Sequence, residues 1–302
     1  MCHQSFFNGL LWHSWMVFVA LACSLGMASA AKGQQPEICV ERDIVHGKVD
    51  RVELQLNLAL PKKDNGPFPG VVCIHGGGWY QGQRQDMDPM TELLARRGYV
   101  AATVSYRLVP SARFPAQIED CKAAVRWLRA NADKYHINPD RIGAIGPSAG
   151  GHLACLLGVT DKKDGLEGSG GNPGPSSRVQ AVVSFFGRTD FTKKTWSEEL
   201  EEKVFVPLIG ASFDDKPELY KKISPIVYVS RTSPPFLFFH GAEDKLVPPR
   251  NSTDMAEKLR AAGVSAKAVV VEGEGHGSAD WAEKWAKSIE QAVAFFDEHL
   301  KK

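Results

Sequence analysis

The segment from Arg141 to His152, RIGAIGPSAGGH, leaves this chain little freedom in how it folds. A short apolar run enters Gly146-Pro147-Ser148-Ala149-Gly150, and helix-compatible sequence from His152 to Leu157 follows at once. A strand that turns so abruptly into a helix forces the central serine into a strained backbone conformation. Residues two positions to either side must then lack bulk, and Gly146 and Gly150 meet that need. The serine oxygen is expected to project above the sheet, with the positive end of the next helix aimed at it. Gly-x-Ser-x-Gly also arises by chance in glycine-rich loops. Its meaning here rests on the strand before it, the helix after it and the partners found elsewhere.

Those partners follow from chemistry. A serine hydroxyl is a poor nucleophile at neutral pH and needs a base, which in turn needs an acid to orient it. In a strand–turn–helix setting the order is Ser, Asp, His, each on a loop after a strand. The apolar run from Phe236 leads to HGAED, 240–244, and the run from Ala266 leads to GEGHG, 273–277. This assigns Ser148 as nucleophile, His276 as general base and acid, and Asp244 as the orienting carboxylate. Glu243 and Asp280 are rival acids, and His240 and His152 are weaker candidates for the base because they sit at a strand end and a helix start. A carbonyl under attack also needs backbone N–H donors for its developing negative charge, each contributing roughly 3 kcal/mol. His75-Gly76-Gly77-Gly78-Trp79 at another strand end supplies backbone that can approach a substrate closely. The expected donors are the N–H groups of Gly77, Gly78 and Ala149.

Along the rest of the chain, strands alternate with helices. Leu54, Leu56, Leu58 and Leu60 mark a strand with one buried face, and residues 70–75, 99–106, 179–186 and 266–271 read as buried strands. Helices are expected over 89–97, 115–132, 251–262 and 282–300, with helical material over 197–208. On the 115–132 helix Ile118, Cys121, Val125 and Leu128 share an apolar face, with Glu119, Lys122, Arg126 and Arg129 elsewhere. Residues 32–44 read as a polar leader, and 164–177 as a Gly/Pro/Ser-rich surface loop. The pattern predicts an α/β fold with a mostly parallel sheet covered on both faces.

The first 30 residues stand apart. Phe6 to Ala30 contains no Asp, Glu, Lys or Arg, Leu10 to Leu25 is mostly apolar, and Ala28-Ser29-Ala30 offers a small-x-small cleavage site before Ala31. A cleaved signal peptide, residues 1–30, is expected, with an uncleaved anchor as the competing reading. Both place the 31–302 domain outside the cytoplasm, secreted or periplasmic. Cys39, Cys73, Cys121 and Cys155 then remain, and spacing assigns no disulfide pairs among them. The last three lie on apolar faces and read as small buried thiols. A net charge of +1 gives no footing for nucleic acid, and no His/Cys cluster suggests a metal.

Taken together, HGGGW at 75–79, Ser105-Tyr106-Arg107-Leu108 with Phe114-Pro115-Ala116, GPSAGG at 146–151, Asp244 before Val247-Pro248, and His276 make the chain resemble the α/β-hydrolase fold. The likeness is to its hormone-sensitive-lipase-like and carbohydrate-acting esterases, and it runs from about Leu56 onward. It implies a serine esterase without cofactor, in which Tyr106, Arg107 and Asp120 are structural supports. Pro147 departs from the family, standing where a polar residue or glycine is usual. The short segment before the first strand leaves no room for large N-terminal cap helices. The resemblance therefore implies an open pocket covered partly by residues 190–235, with Trp79 and Phe213 lining it. It favours short-acyl esters, acetyl or aryl, on carbohydrate. An amide-cleaving relative, and a non-catalytic binding module on the same fold, are the alternatives.

Overall fold

The computed structural model describes residues 36–62, 66–277 and 284–302. The expected signal peptide with its cleavage site and its two cysteines, Cys2 and Cys23, the rival acid Asp280, and residues 282 and 283 of the expected C-terminal helix lie outside the described residues.

Among the described residues, eight strands form one sheet: β1 (Ile38–Val49), β2 (Val52–Pro61), β3 (Phe68–Ile74), β4 (Val100–Val104), β5 (Ile137–Pro147), β6 (Ala181–Phe185), β7 (Phe236–Gly241) and β8 (Ala266–Val271). Their spatial order is β1-β2-β4-β3-β5-β6-β7-β8, with β1/β2 and β2/β4 antiparallel and every other pair parallel. Between them run α1 (Asp88–Arg96), α2 (Ala116–Ala130), α3 (Ala149–Val159), α4 (Glu198–Leu200), α5 (Val206–Ile209), α6 (Pro217–Ile223), α7 (Arg250–Ala261) and α8 (Ala286–Leu300). Among the described residues no helix is long and apolar enough to cross a membrane.

The central strands are mostly apolar on both faces, with the buried Thr103, Ser184 and His240 as exceptions, because both faces are covered. Alternate side chains feed two separate cores. Val72, Ile74, Ala144, Val182, Phe236 and Phe238 join one core with α2, α3 and α7. Val71, Cys73, Ile145, Val183, Leu237 and Phe239 join the other with α1 and α8. Each fully buried Val, Leu, Ile or Phe contributes roughly 1.5–3 kcal/mol by leaving water.

One stretch differs from the sequence expectation. The polar leader is in part a strand: residues 38–49 pair with β2 from Ile38↔Pro61 to Val49↔Val52. Glu41-Arg42-Asp43 conceals it, because an edge strand with one face in water tolerates charges, and two register shifts break its alternation. On α2, two of the charged residues off the apolar face, Lys122 and Arg126, are buried. Lys122 Nζ donates to Glu167 Oε1 at 2.7 Å and Ser177 Oγ at 3.3 Å. Arg126 donates to Glu167 Oε2 and to the Gly170 and Asn172 carbonyls. The 164–177 loop thus folds over α2 and is pinned by two buried cations. Cys73, Cys121 and Cys155 are buried free thiols, while Cys39 is free and exposed.

The parallel strands end on one side of the sheet, and adjacent strand ends are adjacent in space. That brings the loops after β3, β5, β6, β7 and β8 together.

Candidate active site

The loop after β5 is the sharp turn that its glycines demand. Ser148 has φ 51° and ψ −118°, a conformation that costs a non-glycine residue about 1–3 kcal/mol. The cost is held by close packing rather than by flexible glycine backbone. A Cβ on Gly146 would lie 2.5 Å from the Ile74 carbonyl oxygen, and one on Gly150 only 2.1 Å from the same atom. Pro147 ends β5 in register with Phe185, and Ser148 stands immediately before α3.

Ser148 Oγ lies 2.9 Å from His276 Nε2, and His276 Nδ1 lies 2.8 Å from Asp244 Oδ2. Three side chains from loops after β5, β8 and β7 therefore form one hydrogen-bonded chain. Asp244 Oδ1 accepts from the Leu246 and Val247 N–H groups at 3.0 and 2.8 Å, which fixes the carboxylate plane. Burial alone would raise the Asp244 pKa, but hydrogen bonds from His240 and His276, the charge interaction with His276, and the Val247 N–H hold it well below the usual carboxylate range. Glu243 is exposed, and its backbone is bonded to the Glu274 carbonyl. The geometry thus pairs His276 with Asp244 and not with its neighbour. His152 is fully buried, with Nε2 on the Ile223 carbonyl, and burial lowers its pKa to about 4.

His240 is the residue that the sequence undervalued. It is fully buried at the end of β7, with Nδ1 2.7 Å from Ser252 Oγ on α7 and Nε2 2.7 Å from the Val247 carbonyl. The same Nε2 is 3.2 Å from Asp244 Oδ2. Both neighbours of Nε2 are acceptors, so that nitrogen carries the proton and Ser252 donates to Nδ1. A histidine at a strand end, four residues before the acid, was the available signal.

The glycine loop after β3 faces the serine. Gly77 has φ 103° and Gly78 φ 60°, and a Cβ on Gly77 would meet the Gln81 carbonyl oxygen at 2.2 Å. Only glycine fits there. Gly77 C=O accepts from the Tyr80 and Gln81 N–H groups, closing the turn. Tyr106 Oη donates to the carbonyls of His75 and Gly76, and its ring stacks on His75 at 4.2 Å. Arg107 and Asp120 make a multiply hydrogen-bonded pair, with the Arg107 N–H also on Asp120 Oδ2 at 2.8 Å. Ala149 N–H, at the first turn of α3, has no intrahelical acceptor. Gly77, Gly78, Ala149, Ser148 and His276 all line one cavity of about 750 Å³, a size that suits a small organic ligand.

Trp79 also lines that cavity but is only 6% exposed, packed edge-on against His152 at 5.2 Å. Phe213 does not line it. Its ring fills the space between Trp196 and Tyr220, at 5.7 and 5.3 Å, and its N–H is held by Glu201. The 190–235 segment reaches the cavity instead through Leu200, Val204 and Phe205. Leu200 precedes, and Val204 and Phe205 belong to, a π-helical turn, Glu201–Phe205, linking α4 to α5, and buried Glu201 also accepts from Trp196 Nε1 at 3.1 Å. The loop after β6 adds Phe186, whose ring lies edge-on to His276 at 4.9 Å, and Arg188.

The BD-FAE family matches residues 56–259, a stretch that holds Ser148, Asp244 and both glycine motifs. The chain belongs to the BD-FAE family. This BD-FAE member is 34% identical over 215 residues to Esterase LipC of Mycobacterium tuberculosis, covering 70% of this chain and 53% of LipC. It is 28% identical over 244 residues to the probable isoprenylcysteine alpha-carbonyl methylesterase ICMEL1 of Arabidopsis thaliana, covering 78% of this chain and 51% of that protein. It spans about half the length of these curated relatives. Among solved structures, a truncated carbohydrate esterase from gut microbiota superposes with a TM-score of 0.77 at 28% identity, covering 89% of this chain and 99% of that one. Esterase Est2 of Thermogutta terrifontis with propionate bound gives 0.72 at 28% identity, covering 90% and 97%. The BD-FAE chain has the α/β-hydrolase fold.

Proposed function

We propose that this protein is a serine carboxylesterase that hydrolyses short-acyl esters through an acyl-enzyme. The observation that carries the reading is the unbroken relay from Ser148 Oγ through His276 to Asp244, at 2.9 and 2.8 Å, opening into the cavity lined by Gly77, Gly78 and Ala149. Ser148 gives its proton to His276 Nε2 as Oγ attacks the ester carbonyl carbon. Asp244 holds the imidazole in the tautomer that accepts it and stabilises the imidazolium that forms. The carbonyl oxygen gathers negative charge against the N–H groups of Gly77, Gly78 and Ala149. His276 then protonates the departing alkoxide. Water repeats the sequence on the acyl-enzyme, returning the serine hydroxyl and releasing the acid.

The substrate reading is a short acyl group, acetyl or aryl, on a carbohydrate alcohol. It is supported by the gut carbohydrate esterase of similar fold. Export is proposed from the apolar segment at 6–30. The decisive experiment measures p-nitrophenyl acetate hydrolysis, with a matched anilide beside it. Ser148→Ala should lower kcat by about 10⁴-fold or more while the circular dichroism spectrum is kept. Full turnover by the folded Ser148→Ala protein would refute the assignment, and faster cleavage of the anilide than the ester would redirect it to amides.

A further inference from the structure

The cavity above Ser148 contains a charge that ester hydrolysis by the relay does not use. Arg188 follows β6 and is 2% exposed, yet it lines the cavity together with Ser148 and His276. Its guanidinium carbon lies 5.4–5.6 Å from the ring centroids of Phe191, Trp196 and Phe205. A guanidinium carries five N–H donors and no acceptor. One Nη donates to Thr195 Oγ1 at 3.3 Å and the other to the Leu246 carbonyl at 3.0 Å. Both acceptors are neutral. Among the described residues no carboxylate bonds to it directly, and Asp244 and Asp190 act on it only at longer range. Asp244 is in any case already engaged by His276, His240 and two N–H groups. Burial lowers the Arg188 pKa to about 10, which leaves it cationic at neutral pH.

The bonds to Thr195 and Leu246 tie the loop beyond Asp244 to the 190–235 segment, and a neutral donor would serve them equally well. The charge is what they do not account for. A buried cation without a carboxylate partner is unfavourable. An oxyanion entering the cavity would offset it through charge-assisted bonds to the donors left over. Leu200, Val204 and Phe205 line the same cavity, and apolar walls strengthen such a contact by lowering the local dielectric.

We propose that Arg188 is a specificity determinant that admits esters carrying a carboxylate a few bonds from the scissile carbonyl, with that carboxylate seated against the guanidinium. The inference rests on the esterase reading and narrows its substrate class to anionic esters. Two matched pairs test it by pH-stat. Monoethyl glutarate against ethyl pentanoate places the charge on the acyl side. 3-Acetoxypropanoate against propyl acetate places it on the alcohol side. For at least one pair, kcat/KM of the wild-type protein favours the charged ester. In Arg188→Gln the charged-to-neutral ratio falls roughly tenfold or more, and Arg188→Lys retains part of it. Taking the ratio within one protein cancels any loss of active enzyme. Should Arg188→Gln not fold, competition decides with the wild-type protein: glutarate inhibits turnover of ethyl pentanoate at concentrations where pentanamide does not. A wild-type preference for the neutral ester in both pairs, an unchanged ratio in Arg188→Gln, or equal inhibition by glutarate and pentanamide overturns the proposal. Wild-type turnover of the neutral esters alone leaves the esterase reading standing and removes this one. No turnover of any ester removes both.

Discussion

His240 Nε2 lies 3.2 Å from Asp244 Oδ2, the same carboxylate oxygen that His276 Nδ1 approaches at 2.8 Å. One acid is thus shared by two imidazoles, one fixed by Ser252 and the Val247 carbonyl and the other facing the serine.

The shared oxygen makes His240 a positioning residue with a measurable signature. His240→Leu removes one donor from Asp244, whose remaining charge then holds the protonated His276 more strongly. The acidic limb of the kcat/KM profile should move to higher pH, and kcat should fall roughly ten- to a hundredfold. The other charge facing this carboxylate, Arg188, is unchanged in the variant. His240→Gln, which keeps a donor near the Nε2 position, should restore much of both. A fall in kcat with an unmoved limb would reduce His240 to a packing residue.

Gly77 tests the turn that presents the N–H donors. Its φ of 103° and the 2.2 Å approach of the Gln81 carbonyl to a Cβ leave alanine no place. Gly77→Ala should lower kcat by about 10²–10³-fold, the cost of losing one such donor. Labelling of Ser148 by a fluorophosphonate should slow in parallel, because that reaction passes through a similar oxyanion. Equal labelling rates in wild type and variant would show that the loop donates nothing.

Stability should fall on mild acidification, through two buried histidines whose side chains take no part in the relay. Burial lowers His46 and His152 to about 4 from an ordinary value of 6.5. Between those values the unfolded chain binds protons that the folded chain refuses, so stability is present above about pH 6.5 and is lost as the pH falls toward 4. The loss is on the order of 3 kcal/mol for each. Urea midpoints at pH 7 and pH 5 should therefore separate widely in the wild type and less in His46→Phe. An identical separation in the two proteins would place the acid sensitivity elsewhere.

Glu167 should matter more than its position on a surface loop implies. Glu167→Gln leaves Lys122, fully buried, without its carboxylate partner, an uncompensated charge that costs about 3 kcal/mol. Adding Lys122→Met should recover part of that loss, because Arg126 still lacks the same carboxylate. Denaturant unfolding of the single and double variants measures it. A double variant no more stable than the single one would contradict the pairing.

The fold was legible in the sequence wherever one physical requirement dominated. Continuous apolar runs such as 236–239 admit little except a sheet covered on both faces, and the glycines about Ser148 admit little except a sharp turn. The three polar residues of the relay were legible because each follows such a strand. Residues 38–49 were hidden because an edge strand obeys no strict alternation. The burial of Lys122 and Arg126, which lie off the apolar face of α2, was not legible because cover by a distant loop leaves no local trace. His240, Arg188 and the packing of Phe213 depend on how segments far apart in the chain meet, and only tertiary structure reveals them.

The level parallel strand ends also set how much misalignment the molecule tolerates. A slip of one residue in β7, which is buried on both faces, would exchange its side chains between the two cores, and the misfit of their shapes would reject it. A slip of two would keep every apolar side chain on its proper face while carrying the Asp244 loop about 6.6 Å along the sheet, more than twice the span of the bond to His276. Hydrophobicity is nearly blind to that second error. Turnover is therefore the more exacting gauge of correct assembly, and a preparation can be well folded by every spectroscopic measure yet silent as a catalyst.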